Sequence, residues 1–370
     1  MSNRLISTLL SPLPTIFVPC TVKRLCQPDI FATSRRLVST SGRKMALQEM
    51  IDKKNQQEIT KMFTRIKKTI PRFADERHKG QSGRIGVVGG SLEYTGAPYF
   101  AAISALRTGA DLVHVFCMTT AAPIIKSYSP ELIVHPLLDD PKAIDKIEPW
   151  LDRLHCLVFG PGLGRDVHIE RTVIQMMTYA RRNNKPMILD ADALSIVAQN
   201  TELIKNYDKV ILTPNAMEFA RLFGTQRENI PRRLKIFGNG PFILEKGRND
   251  KIHNVRTTEK YECPRGGSGR RCGGQGDLLC GSLSTFFFWA LEAKEEKNPG
   301  LVASYAASFL VKECNSRAFA KYGRGLTASD MIQEITGVFQ DYYELTEEDL
   351  AEEKAAEQQA RIDRIGPNIP

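Results

Sequence analysis

The sequence predicts a three-layer α/β fold in which helices cover both faces of a mostly parallel central sheet. From about residue 84, short apolar or β-branched runs alternate with longer segments whose apolar residues are spaced three and four apart. Each run contains consecutive apolar residues, which is typical of parallel strands buried on both faces. The chain has 370 residues, of which 42% are hydrophobic and 25% charged, so it can bury a large core and is not a disordered protein.

Seven runs predict strands, and the segments between several of them predict helices. The predicted strands are residues 84–90, 111–117, 131–135, 155–160, 185–190, 209–213 and 241–247. The helical patterns cover residues 98–110, 169–184, 193–200 and 216–224. A further uncharged run, 278–291, falls short of the roughly 20 residues of a membrane span. It predicts a buried helix, and we expect no membrane association.

Polar loops follow five of the predicted strands. They read "GGSLEYTG", "GPGLGRD", "DADAL", "TPNAME" and "KGRND", after the first, fourth, fifth, sixth and seventh strands. The carboxyl ends of parallel strands meet at one edge of a sheet, where α/β proteins bind their ligands. The sequence therefore predicts a wide cleft at this edge.

The two ends of the chain differ from the body. Residues 1–44 are rich in Ser, Thr, Arg and Leu and contain one acid, which predicts a mitochondrial transit peptide, with a disordered N-terminus as the alternative. Initiation at Met45 would give a cytosolic form. One catalytic domain is expected over residues 50–340. Residues 341–370 predict an acidic helical tail.

Charge and cysteine usage narrow the choice of ligand. The net charge is +9, but the basic residues are scattered among acids without interleaved aromatics, which favours an anionic small molecule over nucleic acid. The eight cysteines form no CxxC pair and have no histidine at ligand spacing. We therefore expect no zinc site and buried, reduced thiols.

The stretch "GGSGRRCGGQGDLLCG", residues 266–281, predicts an anion site. It joins a β-like segment, residues 251–264, to a helix that is predicted to begin near Asp277 or Leu278. Backbone N–H groups of a glycine loop at a helix N-terminus bind phosphate, and Arg270 and Arg271 can add bidentate contacts. Neither a P-loop nor a Rossmann spacing is present. A nucleoside triphosphate is the expected ligand, with a purely structural turn as the alternative.

Asp277 is the single carboxylate of this stretch. At the mouth of an anion site it could take a proton from a substrate hydroxyl while backbone amides stabilise the transferring phosphoryl group. The alternative is that Asp277 only caps the following helix.

Several motifs together resemble a known family. "GGQGD" and "TPNAME" resemble the glycine-aspartate and NxxE motifs of the ribokinase-like superfamily. Residues 78–113, 158–166, 187–194, 212–222, 244–252 and 266–281 resemble, in order, the ATP-dependent NAD(P)H-hydrate dehydratases. The resemblance covers residues 60 to 340 approximately and implies a ribokinase-like version of the three-layer fold.

The resemblance implies a metabolite-repair lyase. Such enzymes convert the S epimer of NADHX or NADPHX, the hydrates of NADH and NADPH, back to the reduced cofactor and release ADP and phosphate from ATP. It also implies Mg2+ as a cofactor. The alternative within the superfamily is a kinase of a small alcohol or vitamin precursor, which would leave a stable phosphorylated product.

The same resemblance assigns site residues, with Asp277 as the catalytic base beside the substrate hydroxyl. The implied hydrate contacts are Gly164, Asn215, Ala216, Met217, Glu218, Phe219, Ala220, Arg221 and Asp277. The implied ATP contacts are Lys246, Gly247, Arg248, Asn249, Asp250, Gly267, Ser268, Gly269, Arg270, Arg271, Cys272, Gly273, Gly274, Gln275 and Gly276.

Other residues have two interpretations. Glu218 is expected to orient metal-bound water, or else to be a first-turn acid favoured by the helix dipole. Tyr94 and residues 95–97 close over the nicotinamide or form a plain turn. Asp190 and Asp192 support the site or a metal, although Asp192 also suits a helix N-cap.

Two departures from bacterial relatives have consequences. The glycine loop lacks the threonine of the "TxGxGD" version, so no role is expected for a hydroxyl at that point. The sequence also has no fused epimerase domain, so an NAD(P)H-hydrate epimerase is expected as a functional companion. A homo-oligomer is compatible with the sequence.

Overall fold

The computed structural model describes residues 56–72, 78–225, 230–257, 260–264 and 267–345, with isolated positions 351 and 355. Within this range, the residues from Ile59 onward form one compact unit. The predicted transit peptide, residues 1–44, and nearly all of the predicted tail lie outside the described residues. In the described part, no helix is both long and apolar enough to cross a membrane.

A nine-stranded sheet forms the centre of the described unit, in the order β3-β2-β1-β4-β5-β6-β7-β8-β9. All seven predicted strands are present and run parallel to one another. The predicted β-like segment adds β8 and β9 as antiparallel strands at one edge. The strands are β1 Arg84–Val88, β2 Leu112–Cys117, β3 Ile133–Pro136, β4 Cys156–Phe159, β5 Met187–Leu189, β6 Val210–Leu212, β7 Phe242–Glu245, β8 Asp250–Asn254 and β9 Lys260–Cys263.

The strand order brings the five predicted polar loops together. Strands β1, β4, β5, β6 and β7 are direct neighbours, so the loops that follow them lie side by side at one edge. The chain builds β1, β2 and β3 outward in one direction and then returns to place β4 on the other side of β1. Open α/β sheets bind their ligands beyond the strand ends at such a change of direction.

Helices cover both faces of the sheet. Residues 56–69 are helical and form α1. The others are α2 Gly96–Thr108, α3 Ala122–Tyr128, α4 Ala143–Leu151, α5 Val167–Arg182, α6 Asp192–Gln199, α7 Ala216–Phe223, α8 Ile230–Leu234, α9 Gln275–Glu292, α10 Pro299–Tyr322 and α11 Ala328–Tyr342. The predicted helices correspond to α2, α5, α6, α7 and α9; the sequence patterns did not identify the remaining ones.

The strands divide their side chains between two cores, as the period of two requires. On one face, residues such as Val87 and Val158 pack with α1, α2, α3, α9, α10 and α11. On the other, residues such as Phe159 and Leu189 pack with α4 to α8. The three-layer architecture is therefore confirmed. The packed unit also continues past residue 340, the predicted end of the domain, because Tyr343 is fully buried and its hydroxyl donates to the carbonyl of Ala306 at 2.8 Å.

Helix α9 is held against α2 by close backbone contact at Gly281. A Cβ added at Gly281 would lie 1.9 Å from the carbonyl oxygen of Ala101 and 2.2 Å from Oγ of Ser104. Backbone atoms cannot move aside as the end of a flexible side chain can. Glycine at this position therefore sets the distance between the two helices and, with it, the position of the N-terminus of α9.

Replacing Gly281 with alanine should destabilise the fold by about 1–3 kcal/mol, because overpacking outweighs the gain in helix propensity. Thermal unfolding should show the loss as a melting temperature several degrees lower. Gly325→Ala is the matched control, since a Cβ there has nothing within 4 Å. Equal melting temperatures for the two variants would contradict this account of the interface.

Candidate active site

The glycine loop ends at the N-terminus of α9 in the geometry of an anion site. Gly274 is the N-cap and has φ of +91°; a Cβ there would also lie 2.7 Å from Cβ of Ala328, so glycine is required twice over. The first N–H groups of α9 have no partners within the helix and carry its positive dipole end. Because Gly274 is the N-cap, Asp277 is the third helical residue and not the cap.

Helix α10 holds the glycine loop in place through Asn315. The Oδ1 atom of Asn315 accepts from both N and Oγ of Ser268 at 2.7 Å, and its Nδ2 donates to the carbonyl of Arg270 at 3.3 Å. Gly269 and Gly273, in contrast, border open space, because a Cβ added at either would have nothing within 4 Å. The loop is therefore anchored on one side and open on the other, as an anion cradle requires.

The two arginines of the loop differ in their contacts. Nε of Arg270 is buried without a hydrogen-bond partner among the described residues, which leaves a charged donor available to an anion. Arg271 is exposed and donates to the carbonyl of Ser268 at 2.8 Å. Gln275 supports the loop from α9, because its Nε2 reaches the Arg270 carbonyl and Sγ of Cys272, both at 3.3 Å.

The "KGRND" segment forms the turn between β7 and β8, and Asp250 holds this turn against α10. Asp250 is buried, and its carboxylate accepts from N of Gly247 at 2.8 Å, Oγ of Ser308 at 2.7 Å and Nζ of Lys312 at 3.0 Å. These contacts tie the turn to α10. Asp250 therefore positions the nucleotide segment, and its contact with ATP stays a prediction.

Lys246 and Asp190 form an ion pair at the centre of the site. Nζ of Lys246 donates to Oδ1 of Asp190 at 2.6 Å, and the same oxygen accepts from Oγ1 of Thr213 at 2.8 Å. Asp190 is only 2% exposed. A Cβ added at Gly276 would lie 3.3 Å from Nζ of Lys246. The pair therefore lies directly against the N-terminus of α9.

Burial and the charges of Asp190 and Lys246 change the pKa of Asp277. Burial, and then the negative charge of Asp190, raise the pKa of Asp277 to about 8, while Lys246 opposes the change. Burial lowers the pKa of Lys246, but the carboxylates of Asp190 and Glu218 outweigh it and leave that pKa raised. An acid that binds and releases a proton near neutral pH, next to an anion site, is suited to general base catalysis.

The predicted substrate segment begins α7 with a capping box. Oδ1 of Asn215 accepts from N of Met217 and N of Glu218 at 2.9 and 3.0 Å, and Oε2 of Glu218 accepts from N of Asn215 at 2.7 Å. This confirms the first-turn role of Glu218, whose Oε2 also lies 3.9 Å from Nζ of Lys246. Burial raises the pKa of Glu218. Glu218 thus caps α7 and also lies next to the ion pair of Lys246 and Asp190.

The side chains of residues 216–221 point in different directions. Met217 is 67% exposed, and Ala216 and Arg221 are also exposed. Phe219 is buried and packs on Phe223 with ring centroids 4.8 Å apart. The prediction that Phe219 contacts the substrate is therefore wrong for its side chain, because the helix turns it into the core.

The loops after β4 and β5 meet at Gly164. N of Gly164 donates to Oδ2 of Asp192 at 3.1 Å. Asp192 is the first residue of α6, whose N-cap is Ala191 with φ of +46°, so the N-cap interpretation of Asp192 is wrong. Positive φ is strained for a residue with a side chain, and here it separates the directions of Asp190 and Asp192. Tyr94, across the cleft edge, is exposed.

Sequence reasoning missed the contribution of α10. Ser308, Lys312 and Asn315 lie in a long apolar helix and carry no motif. The pairing of Asp190 with Lys246 was also missed, although the position of each at a strand end was a usable signal. Among the described residues, no group of three His, Cys, Asp or Glu side chains could hold a metal ion.

Most of the described cysteines are buried, as the sequence predicts. Those at positions 117, 156, 263, 280 and 314 are buried, and Cys272 is partly exposed. Cys280 lies just below the site, where its Sγ contacts the carbonyl of Asp277 at 3.2 Å.

Comparisons with known proteins agree with this geometry. Residues 85–337 match the family model described as NAD(P)H-hydrate dehydratase. A protein of Aedes aegypti named ATP-dependent (S)-NAD(P)H-hydrate dehydratase is 53% identical over 337 residues, covering 90% of this chain and 97% of its own. A human protein of the same name is 48% identical over 293 residues, covering 75% and 84% of the two chains.

Solved structures with low sequence identity show the fold. A ribokinase-like superfamily protein from Enterococcus faecalis aligns with a TM-score of 0.64 and 20% identity, over 76% of this chain and 95% of its own. An ADP/ATP-dependent NAD(P)H-hydrate dehydratase from Bacillus subtilis, co-crystallised with ATP and Mg2+, aligns with a TM-score of 0.55 and 21% identity, over 75% and 96%. The ribokinase-like fold is confirmed, and the family match and the sequence identities show that the chain belongs to the NAD(P)H-hydrate dehydratase family.

Proposed function

We propose that this protein is an ATP-dependent hydro-lyase that converts the S epimer of NADHX or NADPHX to NADH or NADPH, with release of ADP and phosphate. The observation that carries the proposal is the position of Asp277. It lies at the N-terminus of α9, between the glycine loop and the charge pair of Lys246 and Asp190, and its pKa is raised to about 8. Names and identities of the relatives support the same activity.

The first step would transfer a phosphoryl group to the hydrate. The substrate hydroxyl is attached to the ring carbon next to the nitrogen, and it is a poor leaving group. Asp277, as the carboxylate, accepts the hydroxyl proton while the hydroxyl oxygen bonds to the γ-phosphorus and the bond to ADP breaks. The N–H groups at the start of α9 stabilise the negative charge of the phosphoryl group during transfer.

The second step would expel phosphate. The lone pair of the ring nitrogen forms a C=N bond as the C–O bond breaks, and both electrons of that bond leave with the phosphate. Loss of a proton from the adjacent carbon then restores the C=C bond of the dihydronicotinamide. Atoms and charge balance as hydrate plus ATP giving NAD(P)H, ADP, phosphate and a proton.

The residues present fit nucleotide phosphates and a magnesium ion. Gly269 and Gly273 face open space, and Nε of Arg270 is a buried donor without a partner among the described residues. Mg2+ is usually held by one or two carboxylates, several waters and substrate phosphate oxygens. Glu218 would hold such an ion through water, and the ion would neutralise phosphate charge.

The substrate indicates a companion enzyme, and the composition of the N-terminal residues indicates where the protein is located. The reaction uses one epimer, so an epimerase that interconverts the two hydrates would be its functional companion. The composition of residues 1–44 supports import into mitochondria, and initiation at Met45 supports a cytosolic form. We also propose that the protein can form a homo-oligomer.

Replacement of Asp277 by Asn should reduce turnover by several orders of magnitude, because no other group would take the hydroxyl proton. The assay contains chemically hydrated NADH and MgATP, and it follows the return of reduced-nicotinamide absorbance together with free phosphate. Asp145→Asn, an exposed carboxylate on α4, is the control and should retain full activity. A stable phosphorylated product without recovered absorbance would indicate a kinase instead.

The pH dependence of turnover should respond to the charges around Asp277. The active form is the carboxylate, so activity rises as pH increases through the pKa of Asp277. Asp190 raises that pKa and Lys246 lowers it. At saturating ATP, Asp190→Asn should therefore move the rise to lower pH, and Lys246→Met should move it to higher pH. Shifts in the same direction for both variants would exclude this electrostatic account.

Loss of the Asn315 side chain should weaken ATP binding selectively. Asn315→Ala removes three hydrogen bonds that hold the glycine loop, each contributing about 0.5–1.5 kcal/mol. We expect the KM for ATP to rise by at least 10-fold, with a much smaller change in the KM for the hydrate. Steady-state kinetics with each substrate varied in turn measures both, and equal increases would contradict a role confined to the ATP loop.

A further inference from the structure

The loops after β1 and β4 cross at the crevice where the sheet changes direction. N of Gly90 donates to the carbonyl of Gly162 at 3.1 Å, so the two loops form one wall. Ser91, the next residue in the first loop, lies at this crossing. Ligands of open α/β sheets bind at such a point, yet neither the motifs nor the proposed chemistry gives Ser91 a role.

The Ser91 hydroxyl is buried and has no hydrogen-bond partner among the described residues. Ser91 is 5% exposed, and its Oγ makes no hydrogen bond within that part of the chain. Buried hydroxyl groups are normally paired, so the Ser91 hydroxyl retains the capacity to donate a hydrogen bond to a group of a ligand. Its surroundings are therefore informative about that group.

Ser91 faces Gly164. A Cβ added at Gly164 would lie 3.3 Å from Oγ of Ser91, and Gly164 has φ of +79°. The backbone and the available space both select glycine at this position. Glycine at position 164 therefore lets the backbone approach the Ser91 side chain closely.

Asp192 lies on another side of the same glycine. Its Oδ2 accepts from N of Gly164 at 3.1 Å, and Asp192 is partly exposed. A carboxylate has several acceptor positions, so it can accept a further hydrogen bond. Gly164 is thus flanked by a hydroxyl that can donate and by a carboxylate that can accept.

We propose that Ser91 and Asp192 form a subsite around Gly164 that binds the carboxamide of the hydrated nicotinamide. The Ser91 hydroxyl donates to the carboxamide oxygen, and Asp192 accepts from the carboxamide NH2. A primary carboxamide carries this acceptor and donor side by side. The proposal rests on the proposed function and specifies which end of the substrate meets the loops after β1, β4 and β5.

The first test measures KM values for wild type, Ser91→Ala and Ser304→Ala with hydrated NADH and with ATP. Ser304 is the control because its hydroxyl is also buried without a partner in the described part of the chain, but within α10 in the core. Loss of one neutral hydrogen bond corresponds to roughly a 3- to 10-fold increase in KM. We expect this increase for the hydrate in Ser91→Ala alone, with the KM for ATP unchanged.

The second test uses the hydrate of reduced 3-acetylpyridine adenine dinucleotide, in which a methyl ketone replaces the carboxamide. This analogue keeps the carbonyl oxygen and lacks the NH2 group. Ser91→Ala should raise the KM for both hydrates. Asp192→Asn, which can still bind N of Gly164 through its amide oxygen, should raise the KM only for the carboxamide substrate.

The outcomes separate the two proposals. A wild-type protein that does not restore NADH from its hydrate overturns the proposed function. A wild-type protein that does so, together with a Ser91→Ala variant that behaves like Ser304→Ala, overturns the subsite alone. Equal effects of Asp192→Asn on both hydrates overturn the assignment of Asp192 to the NH2 group.

Discussion

The ion pair between Lys246 and Asp190 is the interaction on which the active site depends. It links the ends of β7 and β5 and contacts the start of α9. Without the lysine, the carboxylates of Asp190, Glu218 and Asp277 would face one another with no balancing charge, and a buried charge that loses its partner is strongly destabilising. With it, the charge of Asp190 is balanced, while burial and the negative charge of Asp190 keep the pKa of Asp277 raised to about 8. One cation thus stabilises the cleft and prepares its base.

Helix α10 supports the nucleotide side of the site from behind. Ser308, Lys312 and Asn315 are spaced by four and three residues, so they lie along one face of the helix. The first two bind Asp250 and fix the turn between β7 and β8; the third fixes the glycine loop. Two separate loops are therefore aligned by one helix, which is a more rigid arrangement than contact between the loops themselves.

The strands, α9 and the position of Asp277 could be predicted because their signals are local. Continuous apolar runs identify buried parallel strands, and glycines before a helix identify an anion site. The direction of a side chain within a motif is not local. Phe219 and Asp250 belong to recognisable motifs, yet one packs in the core and the other binds α10. The contributions of Asn315 and Ser91 depend on tertiary neighbours and leave no pattern in the sequence.

The positive φ of Ala191 separates two groups of site residues, because the chain changes direction between Asp190 and Asp192. Asp190, before it, belongs with Lys246 and the phosphate-binding elements; Asp192, after it, belongs with Gly164 and the crossing loops. Asp277 has to serve both sets. Substitutions in the loops after β1 and β4 would therefore change which substrate hydroxyl binds next to Asp277. The residues that bind phosphate and accept the proton would stay the same. A fold arranged in this way can acquire new substrates by local mutation while its phosphoryl-transfer chemistry is inherited intact.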